Sequence, residues 1–234
     1  SLKPGVPYRY ALSHTVKGVA VKAGQLSGEG WLSLPDGRML WRQEIVAEDA
    51  SSIDVGLSDV FLPHGAELWL SAADGSYAQG PYTEQHNHER GVLWTALVPG
   101  ERAVLEVVVP RAQQPYLRLQ LSSVQQGYRD IFKASLPDPN KAGSCNVDTV
   151  CTEGNNWRDQ IQSVGRYTFV KQGTGRLCTG QLINRTSADR APLFLTANHC
   201  LDTQTEAESV VLYWNYQSAT CRTVGSAANG QSLP

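Results

Sequence analysis

The sequence predicts an all-β protein: a β-sandwich over residues 1–125, an irregular linker over 126–144 and a second β-rich region over 145–234. Three observations predict this. Apolar residues alternate with polar ones over much of the first half, clusters of Pro, Asp and Gly interrupt the alternation at short intervals, and no long stretch keeps a helical period.

The alternation is clearest in two runs. Ile53, Val55 and Leu57 alternate with Ser52, Asp54 and Gly56, and Leu117, Leu119 and Leu121 alternate with Arg118 and Gln120. Each run has one apolar face to bury, which makes it a half-buried strand. Val104–Val109 carries Glu106 as its only charge and reads as a central strand. Chain reversals are expected at Pro35-Asp36-Gly37, Pro63-His64-Gly65, Ala73-Asp74-Gly75 and Pro99-Gly100, where Pro supplies a fixed φ and Gly a positive one. Several short strands separated in this way indicate an antiparallel sandwich. Character changes from Ser122 onward, and Leu136-Pro137-Asp138-Pro139-Asn140-Lys141 has no sustained period, so the domain boundary is expected here. Beyond it, strands are expected over 166–170, 177–183, 192–196 and 210–216, with a brief helix over 157–164.

Composition narrows the function classes. The 234 residues are 41% hydrophobic, enough to fill a core, and the formal net charge is -2. There is no run of like charge, which argues against nucleic acid or an acidic membrane surface as partner. No stretch approaches the roughly 20 apolar residues of a spanning helix. Ser1-Leu2-Lys3-Pro4-Gly5 lacks the apolar core of a secretion signal, so any signal is expected to have been removed already. All five cysteines lie between Cys145 and Cys221. None forms a Cys-x-x-Cys pair, which disfavours zinc, and a disulfide set in a secreted protein is the better reading. Five is odd. Either one thiol is free or its partner belongs to polypeptide beyond this sequence.

The sharpest chemical signal is Phe194-Leu195-Thr196-Ala197-Asn198-His199-Cys200. An apolar strand ends in Thr-Ala, turns, and presents a histidine followed at once by a cysteine. A general base in acyl transfer must be a neutral imidazole held rigidly, and a clamped strand end provides that. Thr196-Ala197-Asn198-His199-Cys200 resembles the signature around the catalytic histidine of trypsin-fold serine proteases. Cys178-Thr179-Gly180-Gln181-Leu182-Ile183-Asn184 resembles the strand that precedes it there. Gly143-Ser144-Cys145-Asn146-Val147-Asp148, Val150-Cys151, Arg158-Asp159 and Val211-Leu212-Tyr213-Trp214-Asn215-Tyr216-Gln217 are similar to the mature amino-terminal region of bacterial lysyl endopeptidases. Less specific motifs, among them Leu62-Pro63-His64-Gly65-Ala66 and Gly127-Tyr128-Arg129-Asp130, resemble the propeptides of such proteases.

The resemblance implies the precursor of a secreted serine endopeptidase that cleaves protein or peptide substrates after lysine. Residues 1–125 would be its propeptide, 126–144 a cleavable linker, and 145–234 the first β-barrel of a double-barrel protease. His199 would be the general base. Cys178 would pair with Cys200 and Cys151 with Cys221, while Cys145 would be disulfide-linked to the remaining protease segment. That segment would also carry the catalytic Asp and Ser, so the chain alone would be inactive. Neither Asp189 nor Asp202, and neither Ser187 nor Ser209, has the sequence context to replace them. Processing is expected after Lys141, with Lys133 as the alternative site.

Other candidates are weaker. His86 and His88 read as part of a polar loop, and neither a metal nor a cofactor is expected. Asn184-Arg185-Thr186 fits a glycosylation acceptor, and Trp31, Trp41, Trp69 and Trp94 are expected in the core more than on a sugar-binding face. The rival reading is a non-catalytic β-sandwich binding protein with a degenerate protease-like segment.

Overall fold

A computed structural model describes residues 6–22, 30–131 and 147–221, apart from Ala188, Arg190 and Ala219. Two compact units are present: Ala11–Arg129 with Val170–Gly175, and the described residues of Ser1–Tyr10, Asp130–Phe169 and Arg176–Pro234. Both are built from antiparallel strands.

The first unit is a sandwich. One sheet runs β3 (Trp31–Ser33), β4 (Arg38–Val46), β10 (Arg102–Pro110), β6 (Glu67–Ala72) and β7 (Ala78–Tyr82) in that order. The facing sheet contains β1 (Tyr8–Thr15), β11 (Arg118–Gly127), β5 (Ser52–Phe61) and β8 (Leu93–Trp94), with β2 (Ala20–Val21) on β11 and β9 (Val98–Pro99) on β5. Central β10 pairs with both β4 and β6, setting Val107 opposite Trp41 and Leu68. Its pleat turns Ala103, Leu105, Val107 and Val109 inward, where they meet Leu68 and Leu70 and, from the facing sheet, Ile53, Val55, Leu57, Leu119 and Leu121. The turn-rich clusters at 35–37, 63–65 and 73–75 connect β3 to β4, β5 to β6 and β6 to β7, and Gly37, Gly65 and Gly75 all have positive φ.

Two features depart from the alternation. The irregular stretch expected from Ser122 is instead the second half of β11. A register shift between Leu121 and Ser123 against β5 places a bulge at Ser122, whose hydroxyl donates to the Gly56 carbonyl at 2.8 Å. One extra residue reverses the inward parity from Leu117, Leu119 and Leu121 to Val124, so the apolar period breaks where the strand does not. Strand β5 is also buried on both faces, with Ser52 and Asp54 as inaccessible as their apolar neighbours. A Cβ on Gly56 would lie 2.7 Å from the Trp94 ring and from the Ser123 hydroxyl, so the small residues of this face admit close cover.

The tryptophans do not form one face. Trp41 is buried in the core and Trp31 packs against it, whereas Trp69 alternates outward from Leu68 and Leu70. His86 and His88 each accept a backbone amide through Nδ1, from Thr83 and Arg90, and neither joins a metal-competent cluster among the described residues. No helix among the described residues is long and apolar enough to cross a membrane.

In the second unit, β15 (Val211–Trp214), β12 (Val164–Lys171) and β13 (Thr174–Ile183) form consecutive strands, and β14 (Leu193–Leu195) pairs with β13. Helix α1 (Arg158–Gln162) follows a 3-10 turn over Thr152–Trp157, so the helix expected over 157–164 is shorter and Val164 already opens β12. Helix α2 (Gln204–Glu208) starts at Thr203, whose hydroxyl caps the Glu206 amide at 3.3 Å.

Leu105→Ala, at a fully buried position of the central strand, is expected to lower unfolding stability by about 2–5 kcal/mol in urea titration. Leu12→Ala, 47% exposed on β1, is the control and is expected to change stability little.

Candidate active site

His199 stands on a short turn immediately after β14. The Cys200 amide donates to the Ala197 carbonyl at 2.9 Å, closing a four-residue reversal with His199 at its third position. The imidazole is exposed and has no hydrogen-bond partner among the described residues, so both ring nitrogens are open to a partner.

Two anchors hold this turn. After the histidine, buried Cys200 is disulfide-bonded to Cys178 on β13, closing a separation of 22 residues. Before it, the Thr196 hydroxyl donates to the Thr179 carbonyl at 3.2 Å and lies 2.6 Å from the Tyr167 hydroxyl. Because Thr196 has one hydroxyl proton and directs it to Thr179, Tyr167 is the donor of the shorter bond. The resulting chain runs from β12 through Thr196 to β13 and fastens the strand end three residues before His199.

An aromatic cluster sets the position of β14. Phe194 packs edge-on to Tyr167, with ring centroids 5.8 Å apart, and to Trp214 at 6.0 Å. Gly180 makes this possible. A Cβ there would fall 2.4 Å from the Phe194 ring and 2.6 Å from the Leu195 carbonyl. The glycine of Cys178-Thr179-Gly180 therefore lets β14, which leads into the His199 turn, lie close beside β13. A second disulfide, Cys151–Cys221, closes a separation of 70 residues. Loop-closure entropy assigns the two bonds roughly 3 and 4 kcal/mol.

A His199 ring nitrogen and the sulfurs of Cys178 and Cys200 lie within 4.8 Å of one another. As a disulfide the sulfurs are not thiolates and supply no metal-ligand charge. Asp189 is engaged by Arg185 and accepts the Ser187 hydroxyl at 2.8 Å, while the buried Ser209 hydroxyl donates to the Glu206 carbonyl at 2.6 Å. These groups are committed to local structure. Asn184 is exposed. Lys133, Lys141 and Cys145 lie outside the described residues. In the sequence, Tyr167 and Phe194 carry no signal beyond membership of short apolar strands.

Burial raises the Tyr167 phenol above its ordinary value of 10.0. Burial also raises Tyr82, whose hydroxyl accepts the Ala96 amide.

These features place the chain among all-β proteins that present an exposed histidine on a disulfide-anchored strand end. Comparison with known proteins narrows the class. Residues 1–125 match the family described as lysyl endopeptidase N-terminal domain, and residues 139–233 match lysyl endopeptidase, C-terminal domain. A lysyl endopeptidase of Pseudomonas aeruginosa is 28% identical over 258 aligned residues, which cover 97% of this chain. The chain belongs to the lysyl endopeptidase family. It spans about half the length of this curated relative, 50%.

Gly180→Ala is expected to destabilise the protein by about 1–3 kcal/mol in denaturant unfolding, because the ring or the strand must move aside. A pH series gives a second check. Folded Tyr167 and Tyr82 hold their protons more tightly than the unfolded chain does, so their contribution is fully present below about pH 10 and is lost as pH rises through the higher folded values. Stability is expected to fall above that point, less steeply in Tyr167→Phe.

Proposed function

We propose that this chain is the propeptide and the first half of the catalytic domain of a secreted serine endopeptidase zymogen that cleaves after lysine. In this reading residues 1–125 are the propeptide sandwich, 126–144 the cleavable linker and 145–234 the amino-terminal half of a trypsin-like protease domain. The observation that carries it is His199: an exposed imidazole on a turn tied on both sides to β13, in a chain of the lysyl endopeptidase family.

The chemistry follows from that placement. Peptide hydrolysis through an acyl-enzyme needs a hydroxyl nucleophile, a base to take its proton and return it to the leaving amine, a carboxylate to orient the base, and donors for the oxyanion. His199 supplies the base. The serine and the orienting aspartate belong to polypeptide beyond residue 234, linked to this chain through Cys145. The 234 residues alone are then inactive. Cleavage after Lys141 by an enzyme of the same specificity releases the propeptide, with Lys133 the second site.

In the longer protein that includes such a segment, His199→Ala is expected to lower kcat for a lysyl peptide by about 10⁴-fold or more. Unchanged hydrolysis in that variant rejects His199 as the base. Amino-terminal sequencing of the matured protein is expected to begin at Ala142, or at Ala134 if Lys133 is used. A start at neither residue rejects self-processing.

A further inference from the structure

We propose that Tyr167 is a positioning residue for His199, acting through the Thr196 hydroxyl. The inference rests on the reading of His199 as general base and adds to it a residue on a different strand that makes no contact with substrate.

The turn bearing His199 is joined to the sheet at two places that differ in kind. Behind the histidine the anchor is covalent, at the adjacent residue Cys200. Ahead of it the anchor is a hydroxyl chain, Tyr167 to Thr196 at 2.6 Å and Thr196 to the Thr179 carbonyl at 3.2 Å. Only Ala197 and Asn198 separate Thr196 from His199. A strand end pinned at one place pivots about it; pinned at two, it cannot turn without breaking a bond.

Tyr167 suits this role for three reasons. Its side chain is fully buried, so water does not compete for the phenolic proton. Its ring is held on two sides, by Phe169 at 5.5 Å and Phe194 at 5.8 Å, so the hydroxyl has little freedom to follow a moving partner. Phe194 belongs to β14, so Tyr167 sets the lateral position of that strand through its ring and the position of the strand's end through its hydroxyl. With Thr196 directing its own proton to Thr179, the Tyr167 proton completes a chain in which each hydroxyl has one donor role. A phenylalanine at 167 keeps the ring packing and removes only the bond to Thr196.

Proton transfer is sensitive to such placement, since a displacement of about 1 Å can cost on the order of 100-fold in rate. The base takes part in the reaction step and not in holding the peptide, so loosening it lowers kcat and leaves KM alone.

The test uses two preparations. In the 234-residue chain, NMR of the His199 ring is expected to give one narrow set of signals in the wild type and broadened or multiple signals in Tyr167→Phe and Thr196→Val. In the longer enzyme, Tyr167→Phe is expected to lower kcat about 10-fold with KM within about twofold. Thr196→Ser, which keeps the hydroxyl, restores the wild-type rate relative to Thr196→Val, and the double variant Tyr167→Phe/Thr196→Val is no slower than Thr196→Val alone. Unchanged His199 signals overturn the proposal, as does a Tyr167→Phe enzyme with unchanged kcat and a lowered Tm, which would make the bond purely structural. A rise in KM with constant kcat also overturns it. If the wild-type longer protein hydrolyses no peptide, the functional reading fails separately, and the NMR comparison still decides whether Tyr167 positions the ring.

Discussion

The Cys178–Cys200 disulfide is the constraint on which the candidate site depends. It joins the middle of one strand to the residue that follows the histidine, so the reversal at Ala197–Cys200 cannot drift from the sheet while the bond is intact. An exposed imidazole on an ordinary loop would sample many orientations. Here the loop is four residues long, with a covalent tie at its far end and a hydroxyl chain at its near end. Thr196 and Cys200 are thereby both tied to β13, on either side of the exposed histidine.

Close approach of the two strands is the packing condition for that tie. Gly180 supplies it, because its missing side chain is the space occupied by the edge of Phe194. Phe194 in turn fills the space between Tyr167 and Trp214. The sequence Cys178-Thr179-Gly180 therefore combines three unlike roles in three residues: a covalent tie, a carbonyl that accepts the Thr196 proton, and a vacancy for an aromatic ring. The sandwich of the first unit has a different basis. Its core is made almost entirely of aliphatic side chains on facing pleats, and the change of parity at Ser122 is absorbed by a bulge whose hydroxyl bonds to the neighbouring strand.

Sequence alternation made the sandwich legible where a strand keeps a single parity. Val104–Val109 reads as central and lies between two partners, and the Pro, Asp and Gly clusters lie at reversals. It failed where two residues stand against one, because a bulge shifts the apolar period without ending the strand, and Ser122–Gln126 consequently looked irregular. It also failed on β5, since Ser52, Asp54 and Gly56 look like a solvent face and their burial depends on neighbours distant in the chain. At the candidate site, His199 and its flanking cysteine were legible as a motif. The pairings Cys178–Cys200 and Cys151–Cys221 followed from resemblance and from no spacing rule. Tyr167 was not legible at all, since its importance rests on a 2.6 Å contact across 29 residues of sequence.

We propose that His199 serves as the base of a serine protease completed by polypeptide outside these 234 residues. Labelling of the processed, longer protein with a fluorophosphonate, followed by peptide mapping, tests it most directly. One label per molecule is expected, on a serine beyond residue 234, with the labelling rate strongly reduced when His199 is replaced by alanine. Label on a serine within 147–221, or labelling indifferent to His199, would contradict it.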